Sequence, residues 1–574
     1  MYDIEKYIKN LWVSIDDIDK KSFWVFFISL NVVYLYNSVH CLFGNEDIYS
    51  MFRQVDIALC NFMGRYASTW LEYVFSNKTI IPMFANMICF FFLSISTIMM
   101  LNWLKLKKTL FNYLLAGLFI LLVPFLQAYM WFRSIAFGVL MMPFFIILSF
   151  IFCQQIDKKC KFYKKVIYLF MSILFISVFA LGTNTPVIGA ICGLLVSKIF
   201  IDYIDNGYSD LKNIIFKYRY FYILILSSVL VHFVVLKVFT LTGVLDLSFY
   251  NIKLISIKEL GTYLFPFIVN TVNYFFFFTF PYVGVPFKTS LFLLSLVSFC
   301  GMGLYLKKIT NSRKEYLNKL LITLLCYVIL FYIFNIVYLL SPELGKFKRF
   351  FRLEYFTTAY FVFVCIVIGL KYANNWIKNI FFAVLAVVIF VSIQINMHIQ
   401  KDQFIGQYVE LDRIMTLKNF ILSHKNYEYS DNIKYDYIQI GDITFSVVEE
   451  IYNANPFSAE FNETANNGFH DPNTVRRDLP IELFSTFQNG EYAYVQTLVD
   501  MPPRITNINP YSSKHIDKYE DLKMYIDEDL KNWIMNEARA YPSPNCVFIN
   551  KGKIFVIMNQ SLLDEIKFAL NKNN

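Results

Sequence analysis

The chain is almost continuously apolar from about residue 23 to about residue 397, and this stretch constrains the fold more than any other feature. Apolar blocks of roughly 18 or more residues are long enough to cross ~30 Å of hydrocarbon as helices. Helices are favoured there because lipid offers no partner for backbone polar groups. A soluble domain with 57% hydrophobic residues would have too little interior to bury them. The sequence therefore predicts a polytopic α-helical membrane protein.

By the length of the apolar blocks, we predict about eleven transmembrane helices after a cytoplasmic N-terminal segment, residues 1–22. That segment is mixed polar, and the first apolar block is long enough to span, so we predict no cleaved signal peptide. The predicted spans lie near residues 23–43, 80–103, 109–126, 134–153, 166–183, 186–204, 221–243, 289–306, 320–340, 357–371 and 379–397.

Alternate loops between these spans differ strongly in their content of basic residues. The basic set contains Lys105, Lys107, Lys108, Lys158, Lys159, Lys161, Lys164, Lys165, Lys212, Lys217, Arg219, Lys307, Lys308, Arg313, Lys314 and Lys319. The positive-inside rule assigns this set to the cytoplasm, with the N-terminus inside and the tail outside. The net charge of +9 then reflects membrane topology, and we predict no nucleic-acid partner.

Residues 244–288 do not fit a simple alternation of spans and loops. Counted as a full span, they would move the later basic loops to the wrong side of the membrane. We therefore predict two short, non-spanning helices bounded by Pro266, Pro281 and Pro286, since irregular backbone is tolerated where protein surrounds it. An ordinary span beside a miscounted neighbour stays open.

The tail, residues 398–574, is polar and is predicted to be a small extracytoplasmic α/β domain. Its strand-like runs lie at 435–440 and 546–558, and the second contains a hairpin turn at 550–553. Helical patterns lie at 403–423 and 519–538. The transmembrane domain, 23–397, then carries its main outer loops at 44–79, 244–288 and 341–356.

The first outer loop contains the strongest functional signal in the sequence. It opens with the acidic pair Glu46-Asp47 and continues through Arg53 to Gly64-Arg65. A carboxylate at this position is suited to act as a general base that deprotonates an acceptor hydroxyl. A solvated loop charge without catalytic function stays open as the simpler interpretation.

The residues after the acidic pair have the pattern of a helix that lies along the membrane surface. Apolar side chains recur every three or four positions: Phe52, Val55, Leu59, Phe62, Tyr66, Trp70 and Tyr73. The polar face contains Asn61, Arg65, Ser68 and Glu72, and we predict that it faces an outer cavity.

The loop around 341–356 is basic although it lies on the predicted outer side. It contains Lys348, Arg349 and Arg352, and guanidinium groups match the oxygens of a phosphate. We predict that these residues bind the phosphate of a lipid substrate, with Arg133, Arg65 and Arg53 as lesser candidates. Anchoring of the next helix by snorkelling side chains is the alternative.

An outer carboxylate and outer arginines at bilayer depth together predict transfer of a lipid-phosphate-linked group to a hydroxyl. Asp47 is the first candidate for the base, and Glu46 is the second or its orienting partner. The arginines neutralise the departing phosphate. We predict no cofactor and no nucleotide site, because the chain has no glycine-rich phosphate loop; a divalent metal at Glu46-Asp47 stays open.

The layout and the first-loop motif resemble the GT-C class of glycosyltransferases, and within it the bacterial and phage GtrII-type O-antigen glucosyltransferases. That family has an acidic pair, an arginine and a final Gly-Arg, which Glu46-Asp47, Arg53 and Gly64-Arg65 match in order. The chain departs from it with Glu46 where Asp is common, and with Ala58 and Asn61 where Gly and Trp are expected. The resemblance implies undecaprenyl-phosphate glucose as donor, a lipid-linked or surface glycan as acceptor, and inversion at the anomeric carbon.

Three other functions stay open. A glycan polymerase or ligase shares the lipid-phosphate substrate and the outer arginines. A flippase or transporter needs ionisable residues inside the spans, where the sequence offers His232, Lys237 and Lys198. A receptor whose tail binds a ligand would need no chemistry in the first loop.

Overall fold

The structure is a computed structural model of the 574-residue chain. It describes residues 16–35, 38, 66–76, 82–126, 133–156, 161–183, 187–242, 257–276, 285–340, 355–427, 435–441, 508–516 and 518–572. These residues form two compact units, with the division after Gln400.

The first unit is entirely helical in its described part. Its helices are α1 (Asp17–Val33), α2 (Tyr66–Ser76), α3 (Pro82–Trp103), α4 (Leu110–Leu122), α5 (Arg133–Ile156), α6 (Phe162–Leu174, continued by a π-helix, Phe175–Leu181), α7 (Ile188–Asp205), α8 (Leu211–Lys217), α9 (Arg219–Leu241), α10 (Ile257–Phe276), α11 (Val285–Ile309), α12 (Arg313–Phe334), α13 (Val337–Leu340), α14 (Tyr360–Tyr372, preceded by a π-helix, Tyr355–Ala359) and α15 (Asn375–Ser423).

Eight helical segments in the described part of the chain are long and apolar enough to cross a membrane. They are Phe84–Trp103, Gly138–Ile156, Phe162–Leu181, Arg219–Leu241, Thr289–Ile309, Arg313–Phe334, Tyr355–Tyr372 and Asn375–Met397. Helices α1, α4 and α7 overlap the other three predicted spans. The prediction of a polytopic helical membrane protein is confirmed to this extent.

Helix α14 lies at the centre of the described bundle. Its sequence is apolar on every side, as expected for a helix surrounded by protein, and it is buried from Tyr360 to Leu370. Helix α11 packs along it. Helix α9 is peripheral and presents a row of exposed apolar side chains, Leu226, Leu230 and Val234. The described bundle therefore has an inner helix and an outer layer with exposed apolar side chains, as expected of helices that contact lipid.

Two helix pairs approach closely because a glycine stands at the point of contact. A Cβ on Gly189 of α7 would collide with the backbone carbonyl of Phe334 at the end of α12. A Cβ on Gly117 of α4 would overlap the ring of Phe26 in α1. Small residues at such points are typical of membrane bundles, in which helices associate through van der Waals packing.

The structure corrects the prediction of two short helices in residues 244–288. Residues Ile257–Phe276 form one helix, α10, and Pro266 lies inside it. Pro286 is the second residue of α11 and does not bound a short helix. Proline lacks a backbone N–H. In the first turn of α11, where Pro286 lies, that N–H would have no acceptor within the helix, so no hydrogen bond is lost. Pro281 lies outside the described residues.

The helical pattern at 403–423 is also not a separate element. It continues the last predicted span as one 49-residue helix, α15. Residues 397–403 contain no proline or glycine, and the next glycine is Gly406. Helical hydrogen bonding is therefore not interrupted at the change from apolar to polar composition.

The second unit contains a four-stranded sheet with helices packed on it. The elements after α15 are β1 (Tyr435–Ile440), β2 (Ile508–Ile516), α16 (Tyr519–Leu522), α17 (Glu528–Asn536), β3 (Val547–Asn550), β4 (Lys553–Ile557) and α18 (Gln560–Lys572). The strand order is β2-β1-β4-β3, with β1 parallel to both neighbours and β3 antiparallel to β4. Ile438 and Phe555 of the sheet pack with Trp533 of α17 and Leu563 of α18.

The predicted strand at 435–440 and the predicted hairpin are confirmed. Asn550 pairs with Lys553, and the two residues between them, Lys551 and Gly552, both have positive φ (48° and 73°). Two such residues make the tight turn whose twist matches a hairpin. The helical pattern at 519–538 forms α16, a short 3₁₀ turn and α17. The extracytoplasmic location of this unit stays a prediction.

Candidate functional site

Most of the residues predicted to carry the chemistry lie outside the described residues. They are Glu46, Asp47, Arg53, Arg65, Lys348, Arg349 and Arg352. Arg133 is the first residue of α5, and only its backbone is described. The described residues that adjoin the first outer loop therefore define the candidate site.

Helix α2 begins at Tyr66, directly after Arg65, and its first turn is fixed by polar contacts. The Tyr66 hydroxyl lies 3.2 Å from the Ser177 carbonyl oxygen, to which it donates, and 3.2 Å from Nδ1 of His232. The Ala67 N–H donates to the Gly182 carbonyl oxygen at 3.1 Å. The chain is thus held in place at the residue that follows the Gly64-Arg65 motif.

Two glycines make room for the start of α2. An added Cβ on Gly138 of α5 would lie 2.6 Å from the Ser68 hydroxyl oxygen. One on Gly182 would lie 2.6 Å from the Tyr66 ring. Real Cβ atoms do not tolerate such distances, so a larger residue at either position would displace α2 from α5 or from the end of the π-helix.

The π-helix Phe175–Leu181 presents the carbonyl that Tyr66 uses. A π-turn widens the helix by one residue, and such turns occur frequently at functional sites. Ser177 lies in this turn, and its own hydroxyl donates to the Ile173 carbonyl at 2.7 Å. The Ser177 carbonyl is left to receive the Tyr66 hydroxyl across the helix interface.

His232 is a buried ionisable side chain inside α9, with 2% of its surface exposed. Its ring stacks on that of Tyr66, with centroids 6.0 Å apart. If Tyr66 donates to Ser177, then Nδ1–H of His232 donates to the Tyr66 oxygen and Nε2 is left as an acceptor. Ionisable groups inside spans are functional candidates by default because burying them is costly.

Three buried polar atoms around Tyr66 have no hydrogen-bond partner within the described part of the protein. They are Nε2 of His232, the hydroxyl of Ser228 one turn earlier in α9, and the hydroxyl of Ser68 in α2. Buried polar atoms nearly always bond to protein, water or ligand. Each of these atoms is therefore able to bond to a water molecule or to a hydroxyl group of a ligand.

The structure modifies the predicted faces of α2. The sequence pattern placed Ser68 on a face toward an open cavity, but its side chain is fully buried beside Gly138. Trp70, predicted to face the bilayer, is 53% exposed and agrees with that prediction. His232 was identified in the sequence only as an ionisable residue within a span, and its contact with Tyr66 bridges 166 positions. No local signal indicates that contact.

A second polar network joins the ends of α1 and α4 to the middle of α15. The Asn396 amide donates to the Leu122 carbonyl at 2.8 Å, and its carbonyl accepts from the Tyr34 hydroxyl at 3.3 Å. The Gln400 amide donates to the Val33 carbonyl at 2.8 Å. These bonds satisfy carbonyls that the ends of α1 and α4 leave open.

Residues of the basic loops meet at a third network, around Asp202 near the end of α7. Lys105 and Lys198 contact one carboxylate oxygen at 2.9 and 3.2 Å. Lys217 and the Tyr218 hydroxyl contact the other at 3.0 and 2.8 Å. His232 lies about thirteen residues along α9 from Arg219, or about 20 Å at 1.5 Å per residue. The Tyr66 and Asp202 networks are therefore well separated along the helices.

Lys108 extends the contacts between basic loops and carboxylates to α1. Its ammonium group lies 2.8 Å from Asp19 and 3.7 Å from Asp16. Partial burial alone would lower the pKa of Lys108, but the hydrogen bond and charge of Asp19, with those of Asp16, raise it above its usual value. Lys108 therefore stays charged at neutral pH.

No protein-family model matches the chain, and no curated protein matches it. Within the part of the chain that the structure describes, no group of three or more His, Cys, Asp or Glu side chains is placed to hold a metal ion. Glu46 and Asp47, where a divalent metal was left open, lie outside that part.

Proposed function

We propose that the chain is a polytopic glycosyltransferase of the GT-C type. It transfers a sugar, glucose by the family resemblance, from a polyprenyl-phosphate carrier to a hydroxyl of a surface glycan such as O-antigen. The reaction takes place on the outer face of the bacterial inner membrane. The motif Glu46-Asp47, Arg53 and Gly64-Arg65 carries this proposal, and it ends directly at the anchored Tyr66.

The proposed chemistry uses the two kinds of charge in the outer loops. Asp47 takes the proton of the acceptor hydroxyl as that oxygen attacks the anomeric carbon, and Glu46 orients the base or replaces it. The bond from the anomeric carbon to the phosphate oxygen breaks, and the electron pair leaves with the polyprenyl phosphate. Arg349 and Arg352, with Lys348, neutralise this phosphate; Arg65, Arg53 and Arg133 are lesser candidates.

The anchored start of α2 supports the proposal physically. Catalysis of this kind depends on holding reacting groups within a fraction of an ångström. The bonds of Tyr66 to Ser177 and His232, and that of Ala67 to Gly182, fix the chain directly after the Gly64-Arg65 motif. The network of Asn396 and Gln400 fixes the ends of α1 and α4.

A transporter or flippase is the second candidate, and His232 is the observation that favours it. A buried histidine inside a span is a common element of proton and substrate paths. The other buried ionisable groups of the spans, Lys198 and Asp202, pair with each other and with Lys105 and Lys217 at the basic loops. Such a cluster lies at one end of the bundle instead of along a path.

The test compares wild type with Asp47→Asn and Glu46→Gln in membranes supplied with radiolabelled polyprenyl-phosphate glucose and host glycan. We expect Asp47→Asn to lower the transfer rate by about 10²–10⁴-fold, because a general base contributes that much. Glu46→Gln should have a smaller effect if this residue only orients the base.

Asp17→Asn is the matched control, since this α1 carboxylate is 85% exposed and pairs with Lys20 at 3.2 Å. It removes the same charge and should leave transfer unchanged. Protein levels and insertion are matched by immunoblot. Transfer that is equal in wild type and Asp47→Asn contradicts the base assignment, and absence of transfer from every polyprenyl-phosphate sugar contradicts the donor class.

A further inference from the structure

The Asp202 network carries more positive than negative charge. Three ammonium groups, from Lys105, Lys198 and Lys217, surround this single carboxylate within 3.2 Å. The Asp202 side chain is 2% exposed and that of Lys198 is 3% exposed, so the centre of the network is buried. One carboxylate neutralises one of the three cations, and the remaining positive charge has to be balanced by solvent or by a bound anion.

Two of these lysines are open to the surroundings. The side chain of Lys105 is 52% exposed and that of Lys217 is 61% exposed. They approach opposite oxygens of the Asp202 carboxylate, which holds both ammonium groups in place without covering them. A phosphate group is large enough to contact two ammonium groups that are held by one carboxylate, and Lys is a common phosphate ligand.

Helix α8, which carries Lys217, has the composition of a helix that lies in the membrane interface. It is separated from α7 by a tight turn, in which Gly207, Tyr208 and Asp210 have positive φ. Only Ile214 of α8 is buried. Its other large apolar side chains are exposed: Leu211 by 44%, Ile215 by 43% and Phe216 by 63%.

Exposed apolar side chains next to exposed lysines are the pattern of a surface that contacts both acyl chains and headgroups. Arg219 strengthens it, since its guanidinium group lies 4.6 Å from the centre of the Phe216 ring. A small water-soluble anion would leave the apolar side chains of α8 exposed to water, whereas the acyl chains of a lipid would cover them. A lipid phosphate is therefore the occupant that fits both parts of this surface. Basic pockets between transmembrane helices bind anionic headgroups in the leaflet that carries the basic loops.

We infer that Lys105 and Lys217, held by Asp202, form a binding site for the phosphate of an anionic phospholipid, whose acyl chains lie against Leu211, Ile215 and Phe216 of α8. Lys198 is the buried member of the cluster, and its ammonium group lies 3.2 Å from the carboxylate oxygen that Lys105 also contacts. The site lies at the end of the bundle marked by the basic loops and is independent of the proposed glycosyl transfer.

The experiment uses the full-length protein in detergent, delipidated and then titrated with phosphatidylglycerol or with phosphatidylcholine. Native mass spectrometry counts the lipids that stay bound. We expect wild type to retain phosphatidylglycerol, and Lys105→Gln/Lys217→Gln to bind it about tenfold or more weakly, because each lysine near a membrane surface contributes about 1 kcal/mol. Phosphatidylcholine should bind equally weakly to both.

Two matched variants separate a site from general charge. Lys161→Gln/Lys164→Gln removes the same charge from exposed positions at the start of α6 and should retain phosphatidylglycerol as wild type does. Lys105→Arg/Lys217→Arg keeps the charge and should also retain it. Lys217→Gln alone tests the exposed lysine in case the double variant fails to fold.

Equal retention by wild type and both Gln variants of the site would overturn the inference, as would an equal loss in Lys161→Gln/Lys164→Gln. A competition experiment with inorganic phosphate distinguishes a lipid headgroup from a free anion. If millimolar phosphate displaces the lipid and binds alone with similar affinity, the site recognises a free anion, and the role of the α8 side chains is refuted.

Discussion

At the scale of single residues, glycine sets how closely helices of this bundle approach. Gly189 brings α7 against the backbone of α12, and Gly193 one turn later brings it against the Phe334 ring. A methyl group at Gly189 would meet the Phe334 carbonyl, which cannot move without the helix. A methyl group at Gly193 would meet the Phe334 ring, which can rotate away. The two positions should therefore differ in their tolerance of a methyl group, with Gly189 the less tolerant.

We predict that Gly189→Ala lowers the stability of the protein by about 1–3 kcal/mol, because overpacking forces α7 and α12 apart. The measurement is the midpoint of thermal unfolding in detergent, followed by tryptophan fluorescence. Gly303→Ala is the control, since its Cβ would make only ordinary contact, 3.6 Å from Leu320. A midpoint for Gly189→Ala that matches the control contradicts the close approach of these helices.

Tyr66 is the residue that anchors the start of α2. We predict that Tyr66→Phe destabilises the start of α2 by about 1–3 kcal/mol, because the Ser177 carbonyl and His232 lose their shared partner. Hydrogen exchange measured by mass spectrometry should show faster exchange in residues 66–76. Tyr163→Phe is the control, because that side chain is 55% exposed at the start of α6. Unchanged exchange in Tyr66→Phe would rule out the anchoring role.

At the scale of elements, the hairpin turn and the start of α17 are coupled through Asp527. Its carboxylate accepts from the Leu530 N–H at 2.9 Å as the helix cap and pairs with Lys551 of the turn at 2.8 Å. The hydrogen bond from Lys551, then the cap bond, lowers the pKa of Asp527 below its usual value. A carboxylate with a lowered pKa stabilises the folded state above its unfolded pKa and loses that contribution as the pH falls through the folded value.

We therefore predict that residues 527–536 exchange hydrogen faster as the pH falls below about 4, after correction for intrinsic rates. Asp527→Asn should show the faster exchange already at neutral pH and little further change in acid. Asp564→Asn on α18 is the control and should keep the wild-type pH dependence. A wild-type pH response that persists in Asp527→Asn would assign the effect to another group.

The elements that the sequence predicted well are those with a local physical cause. Apolar blocks predicted the helices because length and hydropathy act within one segment. The glycine of the pair Lys551-Gly552 predicted the turn, because glycine adopts positive φ without steric cost. The prediction that Pro266 bounds a short helix was wrong, since the neighbouring turns of α10 compensate for one missing donor. The change to polar composition near 398 does not end the helix, because helical bonding does not depend on polarity, and α15 continues through it.

The contacts of the candidate site could not be predicted in the same way. Asp202 and Lys105 are 97 positions apart, and Tyr66 and Ser177 are 111 apart. The basic loops were interpreted only as markers of membrane side, and nothing in their local sequence indicates that Lys105 and Lys217 share one carboxylate. Which loop residues meet is decided by the packing of whole helices, which a linear pattern does not contain.

At the scale of the whole molecule, the basic loops predict on which side each segment lies. We expect trypsin to cleave the tail, 398–574, in spheroplasts and to spare it in inverted vesicles. The lysines of residues 157–165 should show the reverse, which makes them the internal control within the same protein. Cleavage of the tail only in inverted vesicles would reverse the predicted topology and move Glu46 and Asp47 to the cytoplasm.

The pairing of Lys198 with Asp202 also affects how α7 enters the membrane during synthesis. The two residues are one helical turn apart, so their bond forms inside a single nascent helix and requires no neighbouring helix. Each charge alone would penalise insertion by about 2.5–3.5 kcal/mol at mid-helix, but the pair reaches the translocon as a neutral unit near the helix end. Lys105, made earlier, and Lys217, made later, then join an aspartate that is already in place. The cluster is therefore expected to assemble in two steps: α7 first forms the Lys198–Asp202 bond by itself, and the bonds that require neighbouring segments follow.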